Sequence, residues 1–295
     1  MSEKILVLGA SGQVGSALLR QLGDDAITVD VDLSQQNFTD VLNEISVRAV
    51  MNAAAYTQVD KAESERELAL RVNASAVGEL ALWCKQKNIP LVHYSTDYVF
   101  DGSGNHFRRE EEMVAPLSVY GESKLLGERL IVDSGVDYMI FRTSWVYDAK
   151  GKNFANTMRR LFSERESISV VNDQIGAPTY APQLAAATIA ALNQAFLAKI
   201  FSSGIYHLCA GGQVSWFGFA QAILALASAR ESGIKCNLIQ PITTAEYPTP
   251  AKRPLNSRLD CSKAKQVFSV TLPDWSVGLT QWEQEIYEAN TNKHS

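Results

Sequence analysis

A tyrosine and a lysine four positions apart, in the run Tyr120-Gly121-Glu122-Ser123-Lys124, form a pair that could move a proton. A phenol with an ordinary pKa near 10 is a poor acid or base at neutral pH, and a nearby ammonium lowers that value by favouring the phenolate. Leu125, Leu126, Leu130 and Ile131 supply an apolar stripe, which predicts a helix opening after Pro116. Four residues are about one helical turn, so the two polar heads are expected to converge on one face. An amphipathic surface helix with an incidental Tyr and Lys fits the same letters, and the rest of the chain has to decide.

The elements that would position this pair begin at the N-terminus. Lys4-Ile5-Leu6-Val7-Leu8 reads as a strand, Gly9-Ala10-Ser11-Gly12-Gln13-Val14-Gly15 as a glycine-rich turn, and Ala17 to Leu22 as a helix. Strand, turn and helix in that order are the context of a dinucleotide fingerprint, in which the turn backbone and the free N–H groups of the helix start receive a pyrophosphate. The next strand, Ile27 to Val31, carries Asp30, the expected partner of an adenosine ribose hydroxyl, and Asp32-Leu33 follows at once. A third strand, Arg48 to Asn52, runs into Ala53-Ala54-Ala55, small enough for a cofactor to lie across the strand end. A loop from Tyr56 leads to a long helical region from Glu63 to Lys87, with the polar Asn73 inside it. Leu91 to Phe100 is a strand whose end carries hydroxyls. Ligands of a doubly wound sheet gather at the carboxyl ends of its strands, so Ser95 and Thr96 are expected to face the crevice and hydrogen-bond a carbonyl beside Tyr120.

The second half repeats the alternation. Tyr138 to Arg142 is a strand, and Trp145 leaves it at the cofactor end, where an indole could stack on a sugar or simply pack. Helices are predicted over 153–164 and 183–199 and after Ser215 as N-cap, and strands over 168–171 and 205–209. The polar run Asn172 to Thr179 reads as a loop on the substrate side. Near the end, Lys252, Arg253 and Arg258 gather charge in a proline-stiffened loop suited to a diphosphate, with a solvated basic loop as the alternative. The tail from Glu288 to Ser295 is polar and expected to fray.

Composition narrows the function classes. The 295 residues are 46% hydrophobic and 20% charged, ordinary globular values, and a net charge of −5 without charge blocks argues against a nucleic-acid surface. No apolar run spans a bilayer and the chain starts directly in a strand, so a cytoplasmic location is expected. Cys84, Cys209, Cys236 and Cys261 are scattered, as are His93, His106, His207 and His294. Reduced structural thiols, core or edge histidines and no catalytic metal are the expectation.

The glycine spacing, GxxGxxG in place of GxGxxG, resembles the extended, sugar-nucleotide branch of the short-chain dehydrogenase/reductase superfamily. Along nearly the whole chain the motifs GASGQVG, MNAAAYTQVDKAE, HYSTDYVFDG, PLSVYGESKLLGE, FRTSWVY, NDQIGAPT and YPTPAKRPLNSRLD resemble the dTDP-4-dehydrorhamnose reductase family, which makes the last step of dTDP-L-rhamnose synthesis. The resemblance implies a Rossmann-type doubly wound parallel sheet with a smaller α/β substrate-binding part. The nucleotide-binding domain would take residues 1–143 with returning segments near 165–198 and 203–232, and the substrate region 144–164, about 176–182 and 233–295.

It also implies a catalytic set. Thr96 would hold the substrate carbonyl, Tyr120 would donate the proton, and Lys124 would bind the nicotinamide ribose and depress the tyrosine pKa, with hydride passing from NADPH or NADH to C4 of the keto sugar. Cofactor contacts fall at Gly9, Ser11, Gly12, Gln13, Val14, Gly15, Asp30, Asp32, Leu33, Ala53, Ala54, Ala55, Tyr120 and Lys124, and Asn73 would support the site. Contacts to the dTDP-sugar fall at Val59, Thr96, Asp97, Tyr98, Trp145, Arg253, Asn256 and Arg258. Related dehydratases carry Asp-Glu after the Thr; here Tyr98 follows Asp97, so the extra acid is missing. The Glu that bridges a metal-linked dimer in some members falls at Ala17, so that dimer is not implied, and a monomer or homodimer is expected. Another 4-keto-sugar reductase or epimerase, and a non-catalytic NADP-binding regulatory subunit, are the competing functions.

Overall fold

The computed structural model describes residues 4–230 and 233–291. Strands β1 (Lys4–Leu8), β2 (Ala26–Thr28), β3 (Val47–Asn52), β4 (Leu91–Thr96) and β5 (Tyr138–Thr143) form one parallel sheet with the strand Gly204–His207. The spatial order is β2-β1-β3-β4-β5 and then Gly204–His207. The chain therefore turns in opposite directions from β1, and the switch between β1 and β3 opens the crevice in which doubly wound sheets bind ligands.

Continuous apolar strands are required because both faces are covered. Ile5 and Val7 face one layer with α1 (Gln13–Leu22) and the helix Ala181–Leu197; Leu6 and Leu8 face the other with the helix Ala76–Lys87. Ala17 is fully buried in the first layer. A third apolar cluster gathers Tyr147, Phe162, Ile168, Phe219, Ile223 and Trp282 away from the sheet. Of the expected returning segments, 181–197 and 204–207 pack with the sheet, whereas the strand Ser167–Val171 and the helix Trp216–Arg230 contribute to this third cluster. Ser167–Val171 pairs with Leu238–Ile242, outside the main sheet. Residues 231 and 232 lie outside the described residues.

Several predicted elements shift for local reasons. The strand read over 27–31 stops at Thr28, and the strand read to Phe100 stops at Thr96, where the chain tightens into a 3-10 turn over Asp97–Val99. The helix read from Glu63 is a short turn, Val59–Ala62, then Arg66–Leu70 and a π-helical turn over Arg71–Ser75 leading into Ala76–Lys87. Ser215 does cap its helix, accepting from Gly218 N–H at 3.0 Å. The tail is helical as far as Thr291, and residues 292–295 lie outside the described residues. Among the described residues no helix is long and apolar enough to cross a membrane.

Candidate active site

The glycine turn sits where the switch point requires it. Gly9 has φ +77° and lies so close to the end of β3 that a Cβ there would fall 2.5 Å from Ala54 N, so only glycine closes this turn beside Ala53–Ala55. Gly12 takes the N-cap of α1 and supplies no side-chain cap, which leaves first-turn N–H groups of Gln13, Val14 and Gly15 for an anion. These features fit a dinucleotide pyrophosphate. Beyond β2, Asp30 is exposed, and Asp32 folds back to accept from Ser34 N–H at 2.9 Å; the Ser34 side chain first, and then this N–H, hold its carboxyl below the ordinary range. Leu33 is buried in the core beneath this loop. Arg71 pins the loop from below through Ser34 O at 3.3 Å while it pairs with Glu79 at 2.6 Å.

Asn73 is fully buried in the π-helical turn and is not a solvent-facing residue. Its amide accepts from Tyr56 N–H at 2.8 Å and donates to Tyr56 O and Ser123 Oγ, each at 3.0 Å. One side chain thus ties the loop after β3 to the Tyr120 helix.

That helix spans Val119–Ser134. Ser118 caps it through Gly121 N–H at 3.2 Å, and Glu63 takes Val119 N–H at 2.9 Å, so the start falls three residues after Pro116. Its buried face is Gly121, Lys124, Leu125, Glu128 and Ile131, whereas Leu126 is 40% exposed. The stripe is helical but partly polar. Gly127 meets the backbone of the π-helical turn, where a Cβ would lie 2.2 Å from Asn73 O.

Thr96, Asp97, Tyr98 and Tyr120 meet at the carboxyl end of β4. Thr96 Oγ1 donates to Asp97 Oδ1 at 3.1 Å and accepts from Tyr98 N–H at 3.2 Å, and the Tyr98 and Tyr120 rings stand edge to face at 5.5 Å. Burial pushes the Tyr120 phenol up to about 12, with the Asp97 charge adding to it and a Thr96 hydrogen bond opposing it. Burial likewise raises the Asp97 carboxyl to about 6, and among the described residues its Oδ2 has no hydrogen-bond partner. Ser95 departs from expectation. Neighbouring strand residues alternate in direction, and Ser95 Oγ donates to Glu128 at 2.5 Å, away from the crevice, within the buried Glu128–Arg142 pair at 2.7 Å.

Lys124 is anchored on β4. Its Nζ lies 2.6 Å from Tyr94 O and 3.0 Å from His93 Nε2, both on β4. Desolvation is the largest influence on the Tyr120 phenol, and it raises the pKa.

On the substrate side, the basic loop is not merely solvated. Arg253 Nη2 donates to Asp60 Oδ2 at 2.7 Å, next to Val59 in its short helix turn. Burial pushes the Asp60 carboxyl up, but the bonds from Arg253 and Ala251 N–H bring it net below its ordinary value. Arg258 Nη1 donates to Asn256 Oδ1 at 2.9 Å, and Asn256, 2% exposed, braces the loop by donating to His106 O at 2.9 Å. Trp145 adopts φ +50°, unusual outside glycine, and stacks on Trp216 at 3.6 Å.

Sequence reading missed Asp60, Asn52 and the role of His93, because each acts through a partner distant in the chain. It also missed that Cys209 and Cys261 approach to 3.6 Å between sulfurs; all four cysteines are free thiols. Among the described residues no cluster of three or more His, Cys, Asp or Glu side chains could hold a metal.

Comparison with known proteins agrees with this geometry. The family model described as "RmlD substrate binding domain" matches residues 3–288. The dTDP-4-dehydrorhamnose reductase of Escherichia coli (strain K12) is 43% identical over 295 residues, covering 96% of this chain and 98% of that protein. The enzyme of the same name from Burkholderia thailandensis is 45% identical over 289 residues, covering 94% and 97%. The crystal structure of dTDP-4-dehydrorhamnose reductase from Bacillus anthracis in complex with NADP superposes with a TM-score of 0.88 at 35% identity, covering 97% of this chain and all of that one (100%). The chain belongs to the dTDP-4-dehydrorhamnose reductase family.

Proposed function

We propose that this protein is an NAD(P)H-dependent oxidoreductase that reduces the C4 keto group of dTDP-4-dehydro-β-L-rhamnose to dTDP-L-rhamnose. The observation that carries this reading is the meeting of Thr96, Tyr98 and Tyr120 at the end of β4, two strands from the glycine turn on β1. A bound reduced nicotinamide supplies the hydride. The chain's own residues supply the rest. A phenol raised to about 12 holds its proton at neutral pH until a stronger base appears beside it, and the oxyanion formed at a reduced carbonyl is such a base. Thr96 is placed to hydrogen-bond the same oxygen. Gly9 to Gly15 with Ser11, Asp30, Asp32, Leu33 and Ala53–Ala55 would bind the cofactor. Val59, Asp97, Tyr98, Trp145, Arg253, Asn256 and Arg258 would line the nucleotide-sugar side, Arg253 serving its diphosphate.

The nucleotide part is assigned to residues 1–143 with the returning segments near 165–198 and 203–232, and the sugar part to the remainder. Within that assignment, 167–171 and 216–230 support the sugar side by their packing. A monomer or homodimer in the cytoplasm completes the proposal. Supplying dTDP-4-dehydro-6-deoxy-L-mannose with NADH or NADPH and following loss of nicotinamide absorbance tests it. Substrate-dependent oxidation with either cofactor is expected; none with both refutes it.

A further inference from the structure

Three side chains on neighbouring strands and the Tyr120 helix form a buried row: Asn52 at the end of β3, His93 on β4 and Lys124. Asn52 Nδ2 lies 3.2 Å from His93 Nδ1, and His93 Nε2 lies 3.0 Å from Lys124 Nζ. The orientation of the Asn52 amide is set by a group that cannot rotate, because its Oδ1 accepts Ala54 N–H at 3.1 Å. The other end of the amide is therefore NH2, a donor only. A donor facing Nδ1 requires that nitrogen to be an acceptor, and in a neutral imidazole the proton then sits on Nε2. Nε2–H faces Lys124.

An imidazole N–H against an ammonium would set donor against donor among buried side chains. Against an uncharged amine it finds the nitrogen lone pair, while an amine N–H donates to Tyr94 O at 2.6 Å. Turning the Asn52 amide over would let a charged lysine donate to Nε2, but would place NH2 against Ala54 N–H. Among these arrangements the neutral pair alone leaves no conflict.

We propose that His93 is the positioning residue of Lys124: with its proton fixed on Nε2 by Asn52, it holds the lysine as an uncharged amine against β4 in the cofactor-free protein. Other surroundings agree. Burial holds the Lys124 ammonium down to about 8, against the charge of Glu128 one turn along the same helix, so the uncharged amine is the major form above that pH. Glu128 is itself taken by Arg142 and Ser95, and burial holds His93 well below its ordinary value, which keeps the ring neutral as the row requires. His93, Asn52 and Glu128 are thus the groups that set the charge on Lys124.

The test begins with the cofactor-free protein, whose four histidines give a simple nitrogen-15 imidazole spectrum, with His93→Gln for assignment. The expected result is a neutral His93 in the Nε2–H tautomer at pH 8.5; an Nδ1–H tautomer or an imidazolium overturns the proposal. Asn52→Asp then replaces the donor facing Nδ1 by a carboxylate acceptor. It is expected to move the proton to Nδ1, let Nε2 accept from Lys124 and favour the ammonium. An unchanged tautomer in a folded Asn52→Asp protein also overturns it. If that variant does not fold, the wild-type spectrum decides alone. A second readout rests on the proposed reductase function. The alkaline limb of kcat/KM for NADPH or NADH, which reports the cofactor-free enzyme, should move up by about one pH unit in Asn52→Asp, and an unmoved limb counts against the proposal. Failure of the reductase reading would appear as no turnover at any pH, and would leave the tautomer result standing.

Discussion

Arg253 and Asp60, 193 positions apart, are joined by a 2.7 Å hydrogen bond between the proline-rich loop and the short helix turn after β3. A guanidinium held this way is preorganised, since its side chain has been ordered before any ligand arrives. Arg253→Ala should raise KM for the nucleotide sugar by about 10- to 100-fold with a smaller change in kcat, the signature of lost uniform binding. Steady-state kinetics over substrate concentration checks this. An unchanged KM would leave the ion pair a brace of the loop and nothing more.

Tyr120→Phe removes one oxygen and little packing. Turnover should fall by about 10²- to 10⁴-fold, the usual worth of a general acid, while the dissociation constant for NADPH or NADH stays within about twofold. Single-turnover absorbance and fluorescence titration measure the two separately. Wild-type turnover would reject the role given to the phenol.

Asp97 should leave a mark on stability. Its carboxyl, raised to about 6 by burial ahead of the opposing bonds from Ser257 and Thr96, binds a proton more tightly in the folded chain than in the unfolded one. The stability it contributes is present below about pH 4 and is lost as pH rises through about 6. Asp97→Asn abolishes that titration, so its unfolding free energy relative to wild type should improve by on the order of 3 kcal/mol between pH 4 and pH 7. Urea unfolding of both proteins across that range reads the difference. A constant offset between the two curves would show that the carboxyl does not titrate between the two states.

Gly127→Ala should destabilise the fold. The new Cβ would lie 2.2 Å from Asn73 O, so the Tyr120 helix must move away from the π-helical turn. Overpacking of this kind costs about 1–3 kcal/mol, and the shift should also disturb the bond between Asn73 and Ser123. Thermal unfolding together with kcat provides the check. Unaltered stability would mean that the two elements slide apart freely.

What the sequence determined by itself is the alternation of elements and the turn at Gly9 to Gly15, because apolar runs, glycines and caps are local signals. Thr96, Tyr120 and the family were legible for the same reason, since each stands within a contiguous motif. The tertiary structure decided which polar residues find one another. Asn73 reads as an ordinary polar residue in a helix until its amide is seen holding Tyr56 and Ser123. Ser95 and Thr96 look equivalent as letters, yet strand alternation sends one to Glu128 and leaves the other with Asp97 and Tyr98. The spacing of Tyr120 and Lys124 predicted that their heads converge. Packing against β4 adds partners that the spacing does not show, His93 and Tyr94. One helical turn fixes where two side chains start, but the charge and reach of a buried lysine are set by acceptors on other strands, and those have no local signature.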